Sequence, residues 1–227
     1  MIKFENTEVM GWEAAIRGMR NPMNSWKKSD SRWEPQFDTE TGPCHGFFVI
    51  GPNDLNLMAR LRNAGTDHRK FMRMITVYVD ITAPLYWWKE FDTYKVGTVA
   101  NSCSTMHKIA AKEFTPEDFS HEHLFTEENL RYEAEPDSLK LLNTIINALN
   151  VYRLAYLEEG DKSIWWQMIQ LLPSSYNQRR TVMLNYEVLA NIYKSRKNHK
   201  LDEWSVGFME WIESLPYSEL ITGEEKK

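Results

Sequence analysis

Residues 72–82 carry the pattern that most constrains the fold, because their side chains alternate between two faces. The alternation runs from Met72 to Thr82, and both alternating sets contain apolar residues. A strand of this kind is expected to be covered on both faces. Pro84 fits the first turn of a helix that follows the strand directly. The stretch therefore predicts an α/β (α+β) fold in which helices flank a central sheet.

Helical spacing elsewhere in the chain supports this class. A long amphipathic helix is predicted over 137–159, where leucine, isoleucine and tyrosine recur at helical spacing and Gly160 ends the run. Another helix is expected to begin with a cap at Asn53 or Asp54 and to end at Gly65. Further helices are predicted at 12–20, 162–172, 186–196 and 201–215, a loosely helical stretch at 117–132, and strands at 1–10 and 181–184.

The remaining segments give no sign of a domain boundary. Residues 21–41 are polar and are expected to be irregular, because two prolines interrupt them. No linker rich in Pro, Gly or Ser divides the chain, and no internal repeat is evident. A single domain over 1–227 is the simplest interpretation.

The charge balance makes one class of partner improbable. The 227 residues carry a formal net charge of −5 and have a pI of about 5.7, so general affinity for a nucleic acid polymer is not expected. Cys44 and Cys103 lie far apart and form no disulfide framework, which fits a reducing cytoplasm. The sequence MIKFENTEVMGWEAA lacks the apolar core of a signal peptide, and no apolar run is long enough to span a membrane. We therefore expect a soluble cytoplasmic protein.

Small hydrogen-bonding residues dominate the loop at 97–105, which follows the pair Tyr94-Lys95. Small residues allow backbone N–H groups to approach an anion, hydroxyl groups add donors, and Lys95 supplies positive charge. Such a loop suits a phosphate group, which Cys103 and Ser104 would contact. The same composition suits a turn that caps the next helix, and both roles can hold together.

Three other features have two interpretations each. Cys103 is either a nucleophile activated by a nearby lysine or an inert thiol. His121 and His123 resemble a pair of metal ligands, but the segment reads as loop or helix, where a surface position is expected. The adjacent tryptophans at 87–88 and 165–166 indicate core or subunit interface, with stacking on a flat ligand as the alternative.

Three segments together resemble one family, the flavin-dependent thymidylate synthases (ThyX). The first segment spans 68–95. His68 matches the histidine that opens the family's HxSPFEH stretch, and Ala-Pro at 83–84 matches its KAP element. Glu90 falls in the position of its RQ element, and TYK at 93–95 falls in the position of its RHR signature.

The second segment is similar to the rest of that signature, RHRxxSxNExSxRY. Asn101 takes the position of the family's glutamate, Cys103 that of its second serine and Thr105 that of its arginine. A slip of one residue would place Ser104 on that serine instead. Cys103 and Ser104 are therefore both candidates for substrate binding.

The third segment, TVMLNYEVLANIYKSRKNHKLDEW at 181–204, is similar to the family's TVNARSLxNFLxLRxxxxAQWEI element. Asn185 and Asn191 match positions on a face that touches the flavin, and Arg196 matches an arginine that contacts uracil. The resemblance assigns cofactor contacts to Lys70, Tyr94, Lys95, Asn101, Asn185 and Asn191. It assigns substrate contacts to Glu90, Cys103, Ser104 and Arg196.

The resemblance implies the family's reaction, the methylation of the uracil ring of dUMP. NADPH reduces the FAD, methylenetetrahydrofolate supplies the carbon, and hydride from the flavin completes the methyl group. Arg196 would be the catalytic residue, since a guanidinium that polarises the pyrimidine makes C5 nucleophilic. Its alternative is an exposed arginine in the basic run YKSRKNHK. Because family active sites form where subunits meet, a homotetramer is implied, and no metal is expected.

Departures from the family pattern leave three functions open. Thr93 and Tyr94 lack the charge of the family's Arg-His, and Lys95 offers a point charge instead of a guanidinium fork. Glu187 replaces an arginine and reverses a charge toward the flavin's phosphates, for which Lys70 could partly compensate. The chain is thus a divergent enzyme acting on a pyrimidine nucleotide, a nucleotide-binding protein without redox chemistry, or an interaction scaffold.

Overall fold

The computed structural model describes residues 2–38, 42–132 and 135–223. Strands in this part of the chain are β1 (Lys3–Met10), β2 (Arg32–Asp38), β3 (Gly42–Val49), β4 (Thr76–Pro84), β5 (Val99–Ser102) and β6 (Asn177–Asn185). Four of them form one sheet in the order β1-β4-β6-β5, and β2 pairs with β3 in a separate antiparallel hairpin. Together with the helices, this sheet confirms the predicted α/β (α+β) class.

The α-helices of the described residues are α1 (Trp12–Arg20), α2 (Pro52–Asn63), α3 (Leu85–Phe91), α4 (Thr105–Lys108), α5 (Ser138–Glu159), α6 (Lys162–Leu171), α7 (Tyr186–Arg196), α8 (Met209–Ser214) and α9 (Glu219–Thr222). A π-helix at Glu203–Phe208 leads directly into α8. The predicted long helix is confirmed as α5. It begins where the Asp137 side chain accepts a hydrogen bond from the Lys140 backbone at 2.7 Å, and it ends at Gly160 with φ of 68°.

Burial along β4 confirms half of the expectation for this strand. Val77, Val79, Ile81 and Ala83 are buried on one face. The other face is only partly covered, and Tyr78 is exposed. The expectation that both faces of the strand are covered is therefore wrong. Only one face is buried, because the residues that alternate with the valines are polar or amphipathic.

Contacts divide the chain into two compact units, and the first comprises 80–93 and 100–181 together with the chain start up to Phe4. In this unit α5 and α6 pack side by side over an apolar cluster. The cluster consists of Ile109, Ala110, Phe114, Phe119, Leu142, Ile146, Leu149 and Met168. Trp87 and Trp88 are also buried, which confirms a core position for that pair, whereas Trp166 remains exposed.

The second unit comprises 5–79, 94–99 and the chain from Val182 onward. Here α7 packs against α9 and against the short 3₁₀ helix Lys70–Met74. Tyr186, Trp204 and Phe208 contribute fully buried aromatic rings to this unit. The unit holds the third sequence segment from Val182 to its end at Trp204.

The expectation of irregular structure over 21–41 is wrong for β2. Pro35 lies where the pairing register shifts between Glu34 and Gln36, so its missing N–H falls at a bulge rather than in a regular ladder. Trp33 pairs across the hairpin with Phe48, and the two ring centroids are 5.5 Å apart. Cross-strand aromatic packing of this kind stabilises a polar hairpin that local propensity alone does not predict.

The cap expected at Asn53 or Asp54 is also wrong. Gly51 occupies the N-cap of α2, and the carboxylate of Asp30 accepts hydrogen bonds from the backbones of Asn53 and Asp54 at 2.9 and 3.1 Å. The Asp54 side chain is instead completely buried and ion-paired with Arg20. The capping carboxylate comes from more than twenty residues upstream, beyond the reach of a local pattern.

Residues 117–132 are not helical apart from the end of a short 3₁₀ turn at Pro116–Asp118, so that prediction is wrong. A capping box between Thr115 and Asp118 starts this turn, and the Asn129 side chain accepts from the Thr126 backbone at 2.7 Å in a later one. These local side-chain bonds compete with helix formation. Among the helices that the structure describes, none is long and apolar enough to cross a membrane.

Candidate functional site

Helix α7 positions two of the predicted site residues at its ends. Asn185 caps its start, with Oδ1 accepting a hydrogen bond from the Val188 backbone at 3.0 Å. The Tyr186 backbone donates to the Ile75 carbonyl at 3.1 Å, which fixes the first turn against the end of the preceding 3₁₀ segment. Arg196 is the last residue of α7. A cation at this end interacts favourably with the helix dipole.

The side chain of Arg196 is held by aromatic residues. Its Nε donates to the Tyr94 hydroxyl at 2.9 Å. The guanidinium carbon lies 5.6 Å from the centroid of the Tyr94 ring and 5.2 Å from that of Trp204. These distances suit cation–π attraction. Arg196 is only half-buried, so its guanidinium is oriented while it remains accessible. It is not the fully solvated arginine of the alternative interpretation.

Trp204 itself is fixed from several sides. It is fully buried, its ring lies 5.1 Å from Phe208, and the His199 ring lies 6.4 Å away. The Arg196 carbonyl accepts from the His199 backbone at 3.0 Å, so the chain turns tightly after α7. Arg196 and His199 of the basic run thus lie beside Trp204, whereas the lysines of the run are exposed.

Glu187 faces an arginine within the same unit. Arg69 Nε lies 2.8 Å from Glu187 Oε2, and Arg69 Nη2 donates to Glu187 Oε1 at 3.1 Å. The first contact is short but poorly aligned for a hydrogen bond, so the second carries the directional bond. Arg69 Nη2 also donates to Asn191 Oδ1 at 3.3 Å. The negative charge that Glu187 introduces is therefore neutralised by Arg69, while Lys70 is exposed at the start of its 3₁₀ helix.

Arg69 and Asn191 border a cationic cavity of about 480 Å³. Its walls include Arg62, Arg69, Asn191 and Lys194. Arg62 donates to the carbonyl groups of residues 220–221 at 3.3 and 3.0 Å, which ties the wall to α9. Burial and the nearby Arg69 lower the pKa of Arg62, against the opposing effect of Glu187. The cavity has the charge and the N–H donors that an anionic group requires.

In the first unit, a different cavity of about 460 Å³ is lined by Cys103 and Ser104. Ser104 caps α4 by accepting from the His107 backbone at 3.1 Å, and the Cys103 thiol is free and exposed. Gln178 Nε2 donates to the Cys103 carbonyl at 3.1 Å, which holds the loop in place. Lys108 also lines this cavity. Capping of α4 is thereby confirmed for the loop.

The half-buried phenol of Tyr176 also borders the Cys103 cavity. Burial raises the pKa of Tyr176, and the nearby Asp118 and Cys103 raise it further. Tyr176 is therefore neutral at physiological pH and can donate a hydrogen bond.

The remaining predicted residues differ in their exposure. Lys95 and Asn101 are exposed, and Glu90 is half-buried on α3. His121 Nδ1 lies 2.8 Å from the Phe119 carbonyl. Across the residues that can be described, no three His, Cys, Asp or Glu side chains group together as metal ligands would. Sequence reasoning missed Arg69 and Arg62, whose partners lie more than a hundred residues away.

Solved structures, rather than sequences, reveal relatives of this fold. No protein-family model matches the sequence, and no curated protein matches it. Thymidylate Synthase X from Helicobacter pylori with FAD and dUMP superimposes with a TM-score of 0.65 at 17% identity, covering 98% of this chain and 97% of that one. A second structure of ThyX from the same organism, also with FAD and dUMP, gives 0.66 at 17% identity over 99% of both chains.

A third similar structure belongs to an enzyme with a different description. The UMP/dUMP methylase PolB from Streptomyces cacaoi, bound with 5-Br UMP, gives a TM-score of 0.58 at 13% identity, covering 98% of this chain and 93% of that one. All three are too distant in sequence to transfer an activity. The chain therefore has the ThyX-like fold over nearly its full length.

Proposed function

We propose that the protein binds a pyrimidine nucleotide of the dUMP type, with Arg196 contacting the pyrimidine ring. The observation that supports this most directly is the oriented guanidinium, held by the Tyr94 hydroxyl at 2.9 Å and by two aromatic rings. A preoriented guanidinium binds a ring carbonyl without first losing side-chain entropy. The ThyX-like fold and the nucleotides bound in similar structures agree with this ligand class.

FAD is the cofactor that the residues of the second unit fit. Its pyrophosphate needs cations and N–H donors, and the cavity beside α7 offers Arg62, Arg69, Asn191 and Lys194. The ion pair between Arg69 and Glu187 removes the repulsion that an isolated glutamate would impose. We assign Arg69, Asn191 and Lys194 to cofactor binding, together with Lys70, Tyr94, Lys95, Asn101 and Asn185 from the family resemblance.

Cys103 and Ser104 are our candidates for the nucleotide's phosphate. Both line a cavity that also carries Lys108, whose charge suits an anion. The Ser104 hydroxyl already accepts from the His107 backbone, and a hydroxyl can accept and donate at the same time. Glu90 completes the set of substrate residues assigned by the resemblance.

The reaction we propose is methylation of the uracil ring. Arg196 would place its positive charge against a pyrimidine carbonyl and so stabilise the charge that develops when C5 acts as a nucleophile. Bound FAD would supply hydride, and NADPH and methylenetetrahydrofolate would be needed as co-substrates. Tyr94 would act as a positioning residue, because its hydroxyl fixes Arg196.

A nucleotide-binding protein without redox chemistry is the second candidate. Tyr94, in the position of the family's histidine, has its hydroxyl engaged with Arg196, and the neighbouring Lys95 is exposed. This favours a retained nucleotide site with altered cofactor contacts. In that case the protein would bind dUMP and carry no flavin.

Two measurements on the purified protein separate these functions. Absorbance in the flavin bands, with FAD released on denaturation, is expected for the enzyme. A rise in melting temperature with dUMP is expected for both functions, since ligand at about 100 times Kd adds about 2.7 kcal/mol. Colourless protein that still responds to dUMP supports the second candidate. A chain that responds to neither dUMP nor FAD contradicts both.

The residue assignment is tested with Arg196→Ala and Tyr94→Phe. We expect Arg196→Ala to abolish the dUMP response with little change in the melting temperature of the free protein, because Arg196 is only half-buried. Tyr94→Phe keeps the ring but removes the hydroxyl, so binding should weaken and not vanish. Lys200→Ala, an exposed cation in the same basic run, is the matched control and should bind dUMP normally. An Arg196→Ala variant that binds like the parent would contradict the assignment.

A further inference from the structure

Two adjoining clefts in the second unit form a site that the proposed function does not use. We propose that they bind a free nucleoside polyphosphate, with the base stacked on Trp26 and Trp33 and the phosphates against Lys27, Lys28 and Arg60. The proposal goes beyond the dUMP and FAD sites and is independent of them. It rests on the residues of α1, the turn at 25–31, the β2–β3 hairpin and α2.

The first cleft, the aromatic cleft, has a volume of about 320 Å³ and contains Trp26, Trp33 and Phe48. Trp26 is 48% exposed and Trp33 is 60% exposed. Their indole N–H groups donate to Asn21 Oδ1 at 2.8 Å and to Glu13 Oε2 at 3.3 Å, so both rings are oriented. Two oriented and exposed tryptophans in one cleft provide a platform on which a flat heteroaromatic ring can stack.

Two arginines, Arg17 and Arg32, also line the aromatic cleft. Arg32 is paired with Glu34 at 2.5 Å, whereas Arg17 forms no ion pair with the side chains that the structure describes, those of 2–35, 46–132 and 135–223. A guanidinium beside a stacked base adds cation–π attraction and a donor for a phosphate or a base edge.

The second cleft, the basic cleft, has a volume of about 870 Å³ and is lined by Lys27, Lys28 and Arg60 with the amides of Asn53 and Asn56. The three cations are exposed, and the described part of the chain offers none of them a carboxylate within ion-pair distance. The chain as a whole carries a net charge of −5, so the positive charge of this cleft is opposite in sign to the charge of the whole protein. It suits several phosphate groups in sequence.

The two clefts are continuous, because Arg20 and Ser29 line both of them. Asp54 makes this junction rigid. Its carboxylate accepts from Arg20 Nε at 2.6 Å and from the hydroxyls of Ser29 and Ser31 at 2.6 Å each. The turn that carries Trp26, Lys27 and Lys28 is therefore tied to the start of α2, and a ligand would find the site already formed.

The chemistry of the clefts favours a small nucleotide over other occupants. A nucleic acid polymer would extend past the clefts and meet the overall negative charge of the chain. Glu13 and Asp30 also line the clefts, where they accept hydrogen bonds from the Trp33 indole and from the Asn53 backbone. A second copy of this chain related by a twofold axis would bring like-charged arginines and lysines face to face. A free nucleoside polyphosphate needs only one stacking platform and one short cationic track.

The experiment measures binding of ATP, adenosine and an oligothymidylate by isothermal titration calorimetry. The oligothymidylate has about fifteen nucleotides, which is enough to fill the site of a typical single-strand-binding domain. We expect ATP to bind at micromolar Kd, and adenosine to bind at least tenfold more weakly because it lacks the phosphates. Trp33→Leu and Lys28→Glu should each weaken ATP binding at least tenfold. Trp166→Leu and Lys162→Glu, an exposed tryptophan and an exposed lysine of the first unit, are the matched controls and should bind ATP normally.

Several outcomes would overturn the proposal. One is an absence of ATP binding at millimolar concentration, and another is tighter binding of the oligonucleotide than of ATP. The third is unchanged ATP binding by Lys28→Glu, a variant expected to fold normally because Lys28 is exposed. A loss of oligomeric mass by light scattering in Trp33→Leu would instead identify the surface as a subunit interface. Arg196→Ala should bind ATP normally, so a failure of the dUMP proposal is distinguishable from a failure here.

Discussion

The Arg69→Ala substitution leaves the carboxylate of Glu187 without the cation that it contacts at 2.8 Å. The side chains of Arg69 and Glu187 are only 15% and 8% exposed, so both charges are largely removed from water. Breaking a buried pair by removing one partner costs about 3–5 kcal/mol, because the other charge stays buried. We expect about 3 kcal/mol, the lower end, since part of Arg69 reaches solvent.

Urea unfolding followed by circular dichroism measures this loss directly. In a chain of this size each kcal/mol shifts the melting temperature by about 2–4 °C, so the variant should melt about 6–12 °C lower. Arg73→Ala is the matched control, because Arg73 lies in the 3₁₀ helix that begins directly after Arg69 and is exposed. Its effect should stay within about 0.5 kcal/mol.

The double variant Arg69→Ala/Glu187→Gln tests the cause. The double variant has no buried carboxylate at position 187 that needs a cation, so it should recover at least half of the lost free energy of unfolding. FAD content, if the protein carries flavin, should follow the same order, falling in Arg69→Ala and rising again in the double variant. A double variant no more stable than Arg69→Ala, or a single variant that loses less than about 1 kcal/mol, would refute the reasoning.

Three further predictions concern stability, binding and assembly. Burial alone would raise the pKa of Asp54, but hydrogen bonds from Ser29, Ser31 and Arg20 outweigh it and lower the pKa. The stability that Asp54 contributes is therefore present above the unfolded pKa of about 3.9 and is lost as the pH falls through the folded value. Asp54→Asn should cost about 3 kcal/mol at pH 7, and the gap to the parent should narrow below pH 4 in urea titrations; a constant gap contradicts this. Ser104→Asp keeps a good helix cap but adds a negative charge, so dUMP affinity should fall about tenfold by calorimetry, while Ser104→Asn should bind normally. Equal affinities of the two variants would contradict the proposed role of Ser104 in phosphate binding. Light scattering should give about four times the chain mass of 26.8 kDa, and a monomer at micromolar concentration would contradict the expected homotetramer.

Some elements could be predicted from the sequence because the signals that define them are local. Helices α1 and α7 have the predicted bounds, and α5 ends before Gly160 as predicted and begins one residue after the predicted start. Each of these signals is contained within one or two helical turns. The resemblance to ThyX also predicts the fold and points to Arg196, whose aromatic neighbours Tyr94 and Trp204 are visible only in the structure.

Tertiary structure decided the features whose partners lie far apart along the chain. The β2–β3 hairpin forms despite Pro35, because cross-strand packing and a bulge compensate for a weak local pattern. Arg69 neutralises Glu187 across more than a hundred residues, and Asp30 caps α2 in place of the aspartate that the local sequence favours. The sequence shows which charged residues a chain contains, but only folding determines which of them form ion pairs. Pairing depends on the distance between side chains in the folded structure, and that distance is unrelated to their separation along the sequence.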